Sequence, residues 1–362
     1  MADVLMRRFV LSGVPLVMLA CGPSEPPAPP AGSPAPSAVA SAQAAVSASA
    51  SSSASAVASA AAPEPPPPAV SFAEAADVVF PEGASAGAPD CKAPSGAARA
   101  EEEEAIKCLL RARFAKDAAA RDLAVGMFDS VGTVTGVIRE HTMDGGWRGD
   151  IHLVPELPVL HFRKHLGWVK QSFEDIDAFF AGLDAKRPAG TKSTYRYKAL
   201  TFRFFRSVGR TTPSAYADGW EVSYNVSGSL HSGLDAVRET MFHEVFHSND
   251  SAHGGWSSRA LTTPVSGILD RCGQNTACLT PYAPGTTMVR GGTYYAFQKG
   301  NGVWEYAAEL ATRYFDEHRA ILRGEKLKKA PFKCGPEENA KAWKALVDEF
   351  FGVDLTPECP AK

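Results

Sequence analysis

The chain lacks several features that would assign it to a common class of protein. Its apolar run near the start, residues 9–20, is far shorter than the roughly 20 residues that a membrane-spanning helix needs. Its 37 Lys and Arg residues nearly balance its 40 Asp and Glu residues, and it has no basic cluster interleaved with aromatic residues. A nucleic-acid partner is therefore not expected. No internal repeat is visible, which argues against a repeat architecture.

The first 21 residues have the pattern of a targeting segment. Two arginines precede the short apolar run, which ends in Met18-Leu19-Ala20-Cys21. This pattern resembles the signal peptide and lipobox of bacterial lipoproteins, and it predicts a lipid on Cys21 as the membrane anchor. Gly22 favours the outer membrane by the same resemblance. The alternative is an ordinary secreted protein that is cleaved elsewhere.

Residues 22–70 have almost no charge and few large apolar side chains. They are nearly all Ala, Ser and Pro, and Glu25 and Glu64 are their only charged residues. Such a composition cannot bury enough apolar surface to offset the entropy of ordering the chain. We therefore expect a disordered tether, followed by a single folded domain over residues 71–362.

The seven cysteines divide into Cys21 and six others. An even number beyond the lipidation site is typical of an oxidising compartment. None of the six has the closely paired spacing of a zinc ribbon, so we do not expect them to bind metal. Their short separations favour three disulfides: Cys91–Cys108, Cys272–Cys278 and Cys334–Cys359.

Apolar periodicity predicts an α+β fold with strands first and helices later. Helices are expected near Arg99–Asp122, Ser172–Leu183, Leu234–Ser248 and Gly302–Arg323, a hairpin over Ala124–Met143, and strands over Ile151–Leu160, Tyr195–Phe205 and Trp220–Val226. The last strand alternates apolar and polar residues, which predicts one buried face. Gly324 is expected to end the last helix.

One segment predicts a catalytic metal site. It is His243-Glu244-Val245-Phe246-His247, and it lies within a predicted helix. Histidines four residues apart lie on the same helix face, so both imidazoles can bind one zinc ion. The glutamate between them can act on a zinc-bound water as a general base. The alternative interpretation is that the two histidines lie on a solvated helix face and bind no metal.

A catalytic zinc needs a third protein ligand and an open position. Glu305 and Glu309 are four residues apart on a later predicted helix, where two like charges repel unless a cation lies nearby. Glu305 is the first candidate for the third ligand, and Glu309 is an alternative to it. A solvated face in which Glu309 pairs with Arg313 is the alternative interpretation.

The order of these motifs, His-Glu-x-x-His and then Glu-x-x-Ala-Glu, resembles the gluzincin peptidases, and most closely the catalytic domain of anthrax lethal factor. The resemblance covers roughly residues 234–316. It implies a zincin-like domain with a mixed or antiparallel sheet, zinc held by His243, His247 and Glu305, and Glu309 beside them. A tyrosine shortly before the ligand glutamate stabilises the oxyanion in that family. Tyr295, with Tyr294, is the nearest candidate, although it lies a few residues further away.

A second candidate for the third ligand is His253, ten residues after His243, which is the spacing of the metzincin peptidases. A helix would carry His253 about 15 Å away, so the chain would have to turn sharply near Asp250. Met288 would then be the methionine of the metzincin Met-turn, although a single methionine more often fills a core. The remaining histidines have no ligand spacing.

These patterns predict a zinc-dependent endopeptidase with Glu244 as general base and a peptide or protein as substrate, monomeric and lipid-anchored in the bacterial cell envelope. An extended peptide would pair with the strand Trp220–Val226. The competing hypothesis is a non-catalytic surface lipoprotein that uses the same scaffold to bind a partner.

Overall fold

The computed structural model describes residues 69–83, 87–96, 98–145, 149–289 and 292–360. The predicted signal peptide, its lipidation site Cys21 and nearly all of the predicted tether lie outside the described residues. Val70, assigned to the tether from composition, is only 3% exposed and belongs to the hydrophobic core. The folded part therefore begins slightly before the predicted boundary at residue 71.

Several helices precede the first strand, whereas the sequence predicts a single one there, over Arg99–Asp122. They are α1 (Phe72–Val79), α2 (Arg99–Arg113) and α3 (Ala118–Val131). The predicted helix over Arg99–Asp122 is therefore interrupted: Asp117 accepts a hydrogen bond from the backbone N–H of Ala120 and begins a new helix.

The hairpin predicted over Ala124–Met143 is wrong. Most of its first half belongs to α3, where Ala124, Met127, Phe128 and Val131 are buried at helical spacing. The helix ends at Gly132, whose φ of 68° suits glycine.

One mixed sheet of six strands forms the centre of the fold, in the order β2-β3-β4-β6-β5, with β1 also paired to β4. The strands are β1 (Val134–Val137), β2 (His141–Asp144), β3 (Asp150–Pro155), β4 (Thr201–Ser207), β5 (Ala215–Asp218) and β6 (Glu221–Asn225). β4 pairs in parallel with β1 and β6, whereas the β2–β3, β3–β4 and β5–β6 pairs are antiparallel. The mixed α+β fold class is confirmed.

The prediction of one buried face on β6 is wrong, because residues 222–225 are all buried. Val222 and Tyr224 belong to the main hydrophobic core. On the opposite face, the amide of Asn225 donates to Ser207 Oγ at 3.0 Å. Both faces of β6 are covered by other parts of the fold, so the alternation of residue types does not mark an exposed face.

The remaining helices follow the sheet, apart from α4, which lies between β3 and β4. They are α4 (Arg163–Asp184), α5 (Leu234–Ala252), α6 (Trp256–Ala260), α7 (Thr262–Cys272), α8 (Thr276–Leu279), α9 (Val303–Leu322) and α10 (Glu337–Leu346), which continues as a π-helical turn over Val347–Phe351. Phe179 of α4, Phe242 of α5 and Phe315 of α9 pack their rings together, with centroids 4.4 to 6.2 Å apart. This aromatic cluster fixes α5 beside α9.

All three predicted disulfides are present: Cys91–Cys108, Cys272–Cys278 and Cys334–Cys359. Within the part of the chain that the structure describes, no helix combines the length and the apolar character needed to cross a bilayer.

Candidate metal centre

Helix α5 presents two histidines to the same point. Its buried side, which includes Val237, Met241 and Val245, packs into the core. His243 and His247, one helical turn apart, have Nε2 atoms 3.1 Å from each other. The local pattern therefore brings both imidazoles together, as their spacing predicts.

Glu305, in the first turn of α9, reaches the same point from a separate helix. Its Oε2 lies 3.0 Å from His243 Nε2 and 3.5 Å from His247 Nε2. Among the described residues, these three side chains form the one group of histidine, cysteine and acidic side chains arranged to hold a metal ion.

His243 and Glu305 change each other's pKa. Burial by itself lowers the pKa of His243, but the hydrogen bond and charge of Glu305 outweigh burial and raise that pKa to about 9. Burial raises the pKa of Glu305, and the hydrogen bonds from His243 and His247 more than reverse this, so its pKa falls far below the ordinary value. In the metal-free protein, the contact between His243 and Glu305 at 3.0 Å therefore joins an imidazolium to a carboxylate.

The arrangement fits zinc in both chemistry and size. Two imidazoles and one carboxylate are a known ligand set for catalytic zinc, with bond lengths of about 2.0 to 2.2 Å. Tetrahedral ligands at that distance are roughly 3.3 to 3.5 Å apart. The observed separations of 3.0, 3.1 and 3.5 Å lie within a few tenths of an ångström of this value.

Glu244 lies beside this cluster. Its side chain lines the same cavity, although the residue is only 8% exposed. Burial raises the pKa of Glu244, while the nearby His243 and His247 oppose that rise. A carboxylate with a raised pKa is suited to accept a proton near neutral pH.

The cluster opens into a cavity of about 480 Å³. Besides the metal-binding candidates, the cavity is lined by Ala215, Tyr216, Ala217, Glu244, Asp250, Ser251, Gly255, Ser258, Tyr295 and Trp304. A second cavity of about 460 Å³ lies near the C-terminus, against Val347 and Asp354, and contains none of the cluster residues.

Tyr295 lies at the cluster, with its ring centroid 6.1 Å from that of His243. Burial, the charges of Glu305 and Glu244, and a hydrogen bond to Glu305 raise the pKa of its hydroxyl well above the ordinary value. The hydroxyl therefore stays protonated and can donate a hydrogen bond into the cavity.

His253 is not part of the cluster. Helix α5 continues through Asp250 to Ala252, so the sharp turn that the metzincin spacing requires is absent. Asp250 instead accepts hydrogen bonds at 2.6 Å from the backbone N–H and the hydroxyl of Ser257. The Nδ1 of His253 lies 2.7 Å from Glu349, and Met288 is 46% exposed rather than in a core.

Glu309 lies one turn beyond Glu305, outside the cluster of ligand atoms. Its carboxylate packs so closely on Gly285 that a Cβ on that glycine would lie 1.4 Å from Oε2. The alternative pairing with Arg313 is not found, because Arg313 donates to Glu317 at 2.5 Å. Burial raises the pKa of Glu309, and nearby His243 opposes this.

The other histidines lie away from the cavity. His165, His231 and His318 are buried within the fold, whereas His141, His152 and His161 are exposed. No sequence pattern assigned a place at the cavity to Trp304 or to the residues of β5, although Trp304 directly precedes Glu305 and is 48% exposed at the cavity. The short β5 segment Ala-Tyr-Ala-Asp has no apolar alternation that predicts its position.

Comparison with protein-family models, with curated proteins and with solved structures gives no significant match for this chain.

Proposed function

We propose that the protein is a zinc-dependent endopeptidase with a zincin-like domain of the gluzincin type. The observation that supports this proposal is the convergence of His243 Nε2, His247 Nε2 and Glu305 Oε2, from two separate helices, at separations of 3.0 to 3.5 Å. Glu244 and Tyr295 border the same cavity. A general base and a hydrogen-bond donor therefore flank the point where a metal would bind.

His243, His247 and Glu305 would hold the zinc ion. When bound, zinc supplies Lewis acidity, which polarises a carbonyl and lowers the pKa of a bound water to about 7. Glu244 takes the proton from the attacking water and later delivers it to the amine that leaves. The buried position of Glu244 favours both steps, because its raised pKa brings it closer to neutral pH.

Tyr295 would stabilise the negative charge that develops on the carbonyl oxygen of the substrate. Its protonated hydroxyl is a donor at the edge of the cluster. Preorganised donors of this kind lower the barrier because they need no reorientation during the reaction.

The substrate would be a peptide in an extended conformation. Strand β5 ends the sheet on the side next to the cavity, and Ala215, Tyr216 and Ala217 line that cavity. An edge strand can pair its free backbone groups with an added strand. The predicted docking strand Trp220–Val226 is therefore replaced by β5, because β6 is already paired on both sides.

The three disulfides favour an extracytoplasmic compartment. Together with the lipobox-like sequence that ends at Cys21, they support a lipid-anchored protein of the bacterial cell envelope.

Glu244→Gln tests the proposed function. The variant should keep its zinc, because the ligands are unchanged, while hydrolysis of a generic protein substrate falls by a factor of about 10² to 10⁴. Zinc is measured by atomic absorption and cleavage by the release of peptides. Equal cleavage by wild type and variant would refute the mechanism. A wild-type protein that binds zinc and a partner without cleaving any substrate would favour the non-catalytic alternative.

A further inference from the structure

A disulfide-closed loop faces the segment that carries Tyr295. Cys272 ends α7 and is bonded to Cys278 of α8, which closes a loop of residues 272–278. This loop is called the 272–278 loop below. The facing segment, residues 292–298, includes the short 3₁₀ helix Tyr295–Phe297 and is called the tyrosine segment.

Hydrogen bonds on both sides of Tyr295 join the two segments. Gln274 Nε2 donates to the carbonyl of Phe297 at 3.0 Å, and the hydroxyl of Thr276 donates to the carbonyl of Gly292. Directly after the loop, Thr280 Oγ1 lies 3.0 Å from the hydroxyl of Tyr294. The loop therefore holds the tyrosine segment both before and after Tyr295.

Few side-chain contacts maintain the shape of the 272–278 loop. Its backbone donates two hydrogen bonds, from Gly273 to the carbonyl of Leu269 at 2.7 Å and from Asn275 to the carbonyl of Cys272 at 3.0 Å. Residues 273, 274, 275, 277 and 278 are exposed, so most of the loop buries little apolar surface. Asn275 caps α8 through the N–H of Cys278 at 3.1 Å. With so little packing, the covalent link between Cys272 and Cys278 restricts the loop more than its side chains do.

The geometry points to a positioning role: the Cys272–Cys278 disulfide fixes the 272–278 loop, and the loop orients Tyr295 toward the substrate carbonyl. Gln274 and Thr276 are positioning residues, since they act through the tyrosine segment and do not border the cavity. This inference rests on the proposed function for the role of Tyr295. The claim that the loop holds the tyrosine segment does not depend on that function, and it can be tested in the metal-free protein.

The first test measures backbone exchange without metal. In the Cys272→Ala/Cys278→Ala variant, amide hydrogen exchange of residues 292–298 should become faster, roughly tenfold or more. Cys91→Ala/Cys108→Ala is the matched control, because it removes a disulfide remote from this segment and should leave the exchange of residues 292–298 unchanged. Unchanged exchange in the first variant would overturn the inference whether or not the protein is an enzyme.

The second test uses activity. The Cys272→Ala/Cys278→Ala variant should retain zinc and KM, while kcat falls roughly 10- to 100-fold, because a donor misplaced by about 1 Å loses most of its effect. In a Tyr295→Phe background the same cysteine changes should have little further effect on kcat, because the hydroxyl that they orient is absent. Equal losses of kcat in both backgrounds would contradict action through Tyr295.

Gln274→Ala provides a milder variant with the disulfide intact. It should show the same pattern with a smaller change in both exchange and kcat, and it covers the case in which the cysteine variant does not fold. If Gln274→Ala alters neither, the hydrogen bonds to the tyrosine segment do not position Tyr295. A wild-type protein without hydrolytic activity would refute the proposed function, and the exchange measurements would still decide whether the loop holds the segment.

Discussion

Glu305 Oε2 lies 3.0 Å from His243 Nε2, although the two residues are 62 positions apart in the chain. Their helices, α5 and α9, are held side by side by the packing of Phe242 on Phe315, whose ring centroids are 4.4 Å apart. The aromatic core therefore sets the distance between the ligands.

Loss of the third ligand should abolish tight zinc binding. Glu305→Ala removes one of three protein ligands, and zinc content at micromolar free metal should collapse. His253→Ala should keep full zinc content, because His253 is bonded to Glu349 instead. Full zinc and full activity in Glu305→Ala would refute the gluzincin assignment.

Glu309→Gln should have an intermediate effect. Glu309 is a neighbour of the cluster rather than a member, and substitution of a residue that supports a metal ligand typically costs about 10- to 100-fold in affinity or activity. Competition with a chromophoric chelator measures the affinity. A loss of zinc as complete as in Glu305→Ala would show that Glu309 is itself a ligand.

Zinc binding should release protons at neutral pH. Glu305 raises the pKa of metal-free His243 to about 9, so His243 carries a proton at pH 7.5 that zinc must displace. About one proton per zinc is expected, and affinity should therefore fall as the pH is lowered. Calorimetry in buffers of different ionisation enthalpy counts the protons. Binding without proton release would show that the metal-free cluster is not protonated.

Tyr295→Phe should reduce catalysis without loss of metal. Removal of one oxyanion donor typically lowers kcat by about 10² to 10³, and the phenyl ring preserves the packing. Zinc content and KM should stay near the wild-type values. Tyr197→Phe is the control, because the hydroxyl of Tyr197 donates to Asp177 at 2.7 Å and Tyr197 does not line the cavity. Equal effects of the two substitutions would argue against a catalytic role for Tyr295.

Acid should destabilise the fold through His231. Its ring stacks on Tyr224 with centroids 3.8 Å apart, and its Nδ1 lies 2.8 Å from the carbonyl of Asn225. Burial lowers the pKa of His231 to about 4, whereas a histidine in an unfolded chain has a pKa of about 6.5. The contribution of His231 to the free energy of unfolding is therefore complete above pH 6.5 and declines as the pH falls toward 4.

At pH 5 this decline amounts to roughly 1 to 2 kcal/mol. Urea unfolding of wild type and His231→Phe at pH 7.5 and pH 5 measures it, because the phenyl ring cannot titrate. The variant should lose less stability between the two pH values than the wild type does. His161→Phe, at an exposed histidine, should lose as much as the wild type. An identical decline in His231→Phe would show that His231 does not cause the acid sensitivity.

Cys21→Ser should release the protein from the membrane fraction of a bacterial host, because a lipid anchor is the membrane attachment that the sequence predicts. Fractionation and mass spectrometry of the N-terminal peptide check this outcome. Membrane association of the wild type without a detectable acyl group would contradict the lipoprotein assignment.

The sequence alone was sufficient where a local pattern carries the information. Histidines four residues apart must lie on one helix face, so the pairing of His243 and His247 followed from the spacing and the helical period. The three disulfides also followed, because each joins cysteines that are near in sequence. Gly324 ends α9 with a φ of 70°, as its position after the helix predicts.

Tertiary structure decided the features that depend on distant residues. Alternation along residues 220–226 could not reveal that both faces of β6 are buried, because Val222 and Tyr224 lie in the main core and Asn225 is bonded to Ser207 on the other face. Spacing left His253, Glu305 and Glu309 as competing ligands. The tertiary structure distinguishes these candidates. Helix α5 continues through Asp250, which leaves His253 outside the cluster, and the packing of α9 beside α5 brings Glu305 to His243. Packing between helices fixes such distances, and no local sequence pattern encodes them.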